Sequence, residues 1–138
     1  MPARDVFHTT VKNALIKDGW TIIDEDYKLK YGEDNVYADL AAEKILVIEK
    51  RNQKIIVEIK SFLGRSFIND LENAIGQYIV YRDILSETEA QSQLYLAVSS
   101  GVYQSNFQRK LPQMLLKRNQ VKLLIFDANT EVVEQWIN

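Results

Sequence analysis

The chain has 138 residues, 17 Lys and Arg against 19 Asp and Glu, a net charge of −2 and a hydrophobic share of 46%, which are the size and composition of one globular domain with a core of its own. It contains no Cys, which excludes disulfides, zinc–thiolate centres and thiol nucleophiles. The weak acidity counts against strong, unaided binding to nucleic acid, which calls for a basic face.

The opening Met1-Pro2-Ala3-Arg4-Asp5 lacks the apolar core of a signal peptide, and no apolar run approaches the roughly 20 residues of a membrane helix. The expectation is a cytoplasmic protein that does not enter a membrane. Residues 3 to 18 read as a helix, with Val6, Phe7, Val11, Ala14 and Leu15 forming an apolar stripe and Gly19 ending it. Residues 20–23 read as a short strand. The polar stretch from Asp24 to Asp34 reads as irregular, with its turn at 31–34. Strands are expected at 35–41, 44–50 and 54–60, with Arg51-Asn52-Gln53 as the tight connection between the last two.

Residues 67 to 86 give the clearest helix, with Phe67, Leu71, Ala74, Ile75, Tyr78 and Leu85 at helical intervals and Ser66 as its cap. A buried strand at 93–98, short helices near 101–107 and 112–119, a strand at 122–126, a turn at 127–130 and a last strand at 131–137 follow. A helix crossing between strands 54–60 and 93–98 makes that pair parallel. The expected fold class is α/β, a mixed sheet flanked by helices, with core order αβββαβαββ.

Chemistry concentrates at Ile55-Ile56-Val57-Glu58-Ile59-Lys60 and at Asp39 on the earlier strand. Alternate strand residues share a face, so Glu58 and Lys60 project together, roughly 7 Å apart. Two acids and a lysine on neighbouring strands are the set that metal-assisted phosphodiester hydrolysis uses. Taken alone, Glu58 and Lys60 are more often a solvated strand face. Gln77 and Tyr81 lie i and i+4 on the long helix and share a face. His8, the single histidine, sits on the first helix. Arg109, Lys110, Lys117 and Arg118 form the densest local basic group, a candidate for a phosphate backbone or a solvated helix surface. Val132-Val133-Glu134-Gln135-Trp136-Ile137 reads as an edge strand open to pairing or as an internal strand.

In combination, Asp39, Glu58-Ile59-Lys60 and Gln77-Tyr78-Ile79-Val80-Tyr81 resemble the ordered motifs of the PD-(D/E)XK nuclease superfamily, with Ala38 where the name motif has Pro. The stretches 1–8, 11–20, Val57–Gly64 and Gly76–Arg82, with Phe126-Asp127 and Trp136-Ile137, resemble XisH-type proteins over nearly the whole chain. That resemblance implies a restriction-endonuclease-like core and a factor controlling the developmentally timed excision of a DNA element by a separate recombinase in filamentous cyanobacteria. It implies a small XisI-like partner, DNA as a further partner, and homodimerisation as an option. Carried over, Asp39, Glu58 and the Ile59 carbonyl are the metal ligands, for Mg²⁺ or Mn²⁺. Lys60 contacts the attacking water or phosphate, and Gln77 and Tyr81 orient the lysine or touch DNA. The further inward group of the first helix is His8 or Asp5. The alternative is a non-catalytic module of the same fold that assembles with XisI.

Overall fold

The structure is a computed structural model and describes residues 4–138. Its elements are α1 (His8–Lys17), β1 (Thr21–Tyr31), β2 (Asp34–Leu46), β3 (Arg51–Ile59), α2 (Phe67–Thr88), β4 (Gln93–Ser99), α3 (Ser100–Asn106), α4 (Lys110–Arg118), β5 (Leu123–Asp127) and β6 (Val132–Ile137). The six strands form one mixed sheet in sequence order, with β1 and β6 at its edges. The β3–β4 and β4–β5 pairs are parallel and the others antiparallel. The α/β class and the parallel β3–β4 pair are as the sequence implies. No helix among the described residues is long and apolar enough to cross a membrane.

Helices cover both faces of the sheet. Val11 and Leu15 of α1 pack with Leu40, Ile55, Val57, Tyr95 and Phe126 on one face. Leu71, Ile75 and Tyr78 of α2 pack with Ile56, Leu96, Val98 and Ile125 on the other. β3 is consequently buried on both sides from Ile55 to Ile59, as a strand within a parallel pair is. The buried Tyr78 hydroxyl donates to the Leu94 carbonyl (3.0 Å) and accepts the Lys122 N–H (3.0 Å), which pins α2 to β4 and to the start of β5.

The helix ends obey local chemistry. Gly19 (φ +93°) follows α1, with Gly19 N–H bonded to the Ile16 carbonyl and Trp20 N–H to the Leu15 carbonyl, the paired bonds of a Schellman ending. Ser66 caps α2 by accepting the Asn69 N–H at 3.1 Å. The helix expected from residue 3 begins at His8; the first three residues of the chain, and so the expected start, lie outside the described residues.

The strand boundaries differ more. The polar stretch 24–31 is strand, not loop, because Tyr27, Leu29 and Tyr31 alternate with polar residues and Leu29 is buried. The short strands read at 35–41 and 44–50 are the single strand β2 and a turn. The hairpin turns at 47–50, where Lys50 takes φ +52°, and Arg51, Asn52 and Gln53 pair with β2 instead of connecting it. Both short helices expected between β4 and β5 are present as α3 and α4, so the full order is αβββαβααββ.

One change of phase shapes the β1–β2 ribbon. Glu25 and Leu40 are cross-strand partners on the α1 side, where Glu25 meets His8 and Lys12. Their neighbours two residues on, Tyr27 and Ala38, pack beneath α2 instead. Residues i and i+2 of a regular strand share a face, so the ribbon turns over between them. Asp26 sits at that crossing with φ +56°. Beyond it the ribbon tip docks on the end of α2, where Tyr27 donates to Glu89 (2.7 Å) and Tyr31 to Glu87 (2.7 Å).

Gln120 (φ +51°) occupies after α4 the position that Gly19 occupies after α1, with Gln120 N–H on Lys117 and Val121 N–H on Leu116. Left-handed backbone costs a side-chain-bearing residue about 1 kcal/mol, partly offset by the unfolded-state freedom glycine adds. Gln120→Gly is expected to stabilise the protein by roughly 0.5 kcal/mol, read as a higher urea midpoint at unchanged slope; a lower midpoint contradicts this account of the ending.

Candidate functional site

The sheet splits at one point. The β2–β3 ladder ends at Leu40↔Val57. Beyond it, residues 34–38 of β2 pair only with β1, while Glu58 and Ile59 pair only with Leu96 and Ala97 of β4. Extending the register sets Asp39 opposite Glu58. There the Asp39 side chain replaces the ladder: its Oδ2 accepts the Ile59 N–H at 2.7 Å. One carboxylate thus satisfies a backbone donor that its own strand has stopped serving, and the two strands diverge around it.

The divergence opens a cleft of about 360 Å³ lined by Asp39, Glu58, Ile59, Lys60, Gln77 and Tyr81, together with Arg4, Asp5, Asp26, Val36 and Tyr37. All the expected site residues except His8 therefore meet in one place. Glu58 is only 7% exposed, which overturns the solvated strand face. Lys60 follows the end of β3 and is half-buried, with no ion pair among the described residues. Gln77 is exposed at the cleft rim. Tyr81 is buried and donates its hydroxyl to the Tyr37 carbonyl at 3.2 Å, tying α2 to the diverging part of β2 two residues from Asp39.

Between the two first-helix candidates, Asp5 lines the cleft and His8 does not. Asp5 precedes α1 and works as a bracket. Its Oδ1 accepts the Phe7 N–H (2.9 Å) and its Oδ2 the Ser61 N–H (2.9 Å), fixing the chain just after Lys60. His8 is buried, with Nε2 lying 2.8 Å from Glu25 Oε1 and Nδ1 without a partner among the described residues.

Asp26 and Arg4 were not singled out by sequence. Asp26 and Asp39 lie between the Glu25↔Leu40 and Tyr27↔Ala38 pairs of the β1–β2 register, and Asp26 binds Arg4 Nη2 at 3.2 Å while Arg4 Nη1 reaches Glu25 at 3.4 Å. The signal that reveals Asp26 is the Tyr27, Leu29, Tyr31 alternation, which makes the acidic run before it part of a strand.

Burial, then the hydrogen bond and negative charge of Asp39, push the Glu58 carboxyl well above its ordinary range; contacts with the Tyr81 hydroxyl and the backbone of Ile59 pull only part of the way back. Burial, then the charge of Glu58, raises the Tyr81 phenol. Two acids crowded in a partly dry cleft are stabilised together by a cation. The donors are oxygen, the chemistry of a hard divalent ion such as Mg²⁺ or Mn²⁺, which retains several waters. Among the described residues no three His, Cys, Asp or Glu side chains converge as a cage. The side chains in this cleft whose chemistry fits such an ion are the Asp39 and Glu58 carboxylates.

Known proteins match nearly the whole chain. A family model described as XisH protein matches residues 1–134. A crystal structure of an XisH family protein from Nostoc punctiforme PCC 73102 is 43% identical, with a TM-score of 0.88 over 97% of this chain and 100% of that one. The structure of an fdxN element excision controlling factor protein from Anabaena variabilis is 44% identical, with a TM-score of 0.89 over 98% of this chain and 100% of that one. No curated protein matches the chain.

The raised Glu58 carboxyl sets a pH dependence. A carboxyl whose folded-state pKa exceeds its unfolded value contributes stability that is complete below the unfolded value, 4.5 for Glu58, and is lost as pH rises toward the folded value. In chelator, wild-type stability is expected to fall from pH 5 to pH 8 by at most about 1.4 kcal/mol per pH unit. Glu58→Gln, which cannot ionise, flattens that fall and melts higher than wild type at pH 8. Parallel melting curves across this range contradict the assignment.

Proposed function

We propose that this chain, which belongs to the XisH family, is a metal-dependent endodeoxyribonuclease of the PD-(D/E)XK type, acting with an XisI-like partner in the controlled excision of a DNA element. Excision control is what the Anabaena variabilis relative is named for. The observation that carries the catalytic part is the convergence of Asp39, Glu58 and Lys60 where the sheet divides.

Asp39 and Glu58, with the Ile59 carbonyl, would hold Mg²⁺ or Mn²⁺. When bound, the ion supplies positive charge that polarises a phosphoryl oxygen and acidifies water. Glu58 gives up its proton on loading, so metal affinity rises with pH. Lys60 directs its ammonium at the attacking water and offsets the negative charge that builds on the phosphoryl oxygens. Tyr81 keeps Asp39 in register through Tyr37, and Gln77 at the rim contacts the phosphate backbone. Asp5 fixes Ser61 and so limits where Lys60 can reach.

A second reading rests on the sheet edge. β6 pairs only with β5, so the last strand is an edge, not an internal strand, and its free side suits strand addition by a partner. On this reading the fold assembles with the XisI-like protein and modulates the recombinase without cutting. Light scattering of the co-expressed pair tests it: a single peak at the summed mass supports assembly, and two separate peaks remove it.

The catalytic reading predicts that plasmid or branched DNA is cut in Mg²⁺ or Mn²⁺, with the XisI-like partner present or absent. Glu58→Ala and Lys60→Ala are each expected to lose at least about 100-fold, the scale of one electrostatic contribution in an active site. Cutting by Glu58→Ala at the wild-type rate would falsify the metal site.

A further inference from the structure

The cations of the cleft continue onto a neighbouring surface. Arg4, Lys12, Lys44 and Lys54 are all spent on acids: Glu25 and Asp26, Glu25, Asp18, and Glu89 respectively. Among the described residues Lys60, Arg65, Arg109 and Lys110 pair with none. Arg65, Arg109 and Lys110 are exposed.

These four lie on one continuous support. Lys60 and Arg65 bound the loop from β3 to α2, and Arg109 and Lys110 open α4. Three rings join the two segments: Phe62 to Phe67 (5.4 Å between centroids), Phe62 to Phe107 (5.2 Å) and Phe67 to Phe107 (5.4 Å). The Arg109 guanidinium lies over the Phe67 ring at 4.9 Å. Its Nε donates to the Asn106 carbonyl at 3.3 Å, and stacking leaves the two Nη groups to meet a phosphate.

The loop is fixed. Phe62 holds φ +57° because its ring is buried in that cluster. Gly64 N–H donates to Asp70 Oδ2 at 3.0 Å, and a Cβ on Gly64 would come within 2.7 Å of that carboxylate. Asp70 is thereby turned onto the backbone in the first turn of α2, where the helix dipole favours it.

We infer that Lys60, Arg65, Arg109 and Lys110 seat the phosphate backbone of a DNA duplex and lead it into the cleft. The inference rests on the DNA-cleaving reading and adds the route by which a duplex arrives. It also reconciles an acidic chain with a polyanionic substrate, since fixed cations on one face act locally within a Debye length.

The test is fluorescence anisotropy of a labelled duplex across a salt series, in the Glu58→Gln background with Mg²⁺ present. Losing two phosphate contacts lowers the log–log salt slope by about 1.8, equivalent to an affinity loss on the order of fiftyfold at 0.1 M salt. Arg65→Ala with Arg109→Ala is expected to show both. Lys117→Ala with Arg118→Ala, at the far end of α4, is expected to show neither. Arg65→Glu alone keeps the Arg109–Phe67 contact and is expected to weaken binding too, which covers a double variant that folds poorly. Unchanged affinity and slope in the Arg65 and Arg109 variants, while the background binds, overturns this route and leaves the cleaving reading standing. A background that binds no duplex overturns both.

Discussion

The hydrogen bond from the Ile59 amide to Asp39 is the constraint on which the site depends. A sheet cannot end a ladder in its middle without leaving backbone donors unserved, and an unserved donor away from water costs about as much as a lost hydrogen bond. Asp39 removes that cost with a side chain. The same carboxylate then stands beside Glu58, so the device that lets the strands part also assembles the acidic pair. Tyr81 and Asp5 act on either side of it, one on β2 and one on the segment after β3. Each restrains backbone within two residues of a functional side chain.

The acidic pair is stabilising only in the right company. Burial and mutual repulsion work against two negative charges in one cleft. Folding nevertheless holds them together, because β3 is buried on both faces by α1 and α2 and has no freedom to turn Glu58 outward. Stability elsewhere in the sheet is thus applied to hold an electrostatically unfavourable arrangement in place. The net charge of −2 hides a local difference: Arg4, Lys12, Lys44 and Lys54 are held by acids, whereas among the described residues Lys60, Arg65, Arg109 and Lys110 are not.

The helices and the parallel pair were legible because their signals are local. Helical spacing from Phe67 to Leu85, Ser66 at the cap and Gly19 at the stop each carry their own physical reason, and each is where that reasoning puts it. Asp39, Glu58, Lys60, Gln77 and Tyr81 were recognisable by type and order, and all line one cleft. What local reasoning lost was the ribbon. Asp24-Glu25-Asp26 is a poor strand former by composition, and tertiary contacts decide its state: Glu25 is held by α1, and Tyr27 by Glu89 and Lys54. Asp26 was lost with it. The choice between His8 and Asp5 needed the third dimension, because the chain before α1, not the helix itself, reaches the cleft.

The turned-over ribbon has a consequence for how such a protein diversifies. Past Asp26 and Asp39, the arm packs Leu29 and Val36 into the core beneath α2, adds tyrosine hydroxyl bonds to Glu87 and Glu89, and closes in the exposed turn at Gly32. Residues added or removed in pairs around that turn change the length of the arm without shifting the register at Asp39. Chemistry and reach are thereby inherited separately: a lineage can remodel what the arm embraces while the acidic pair stays untouched.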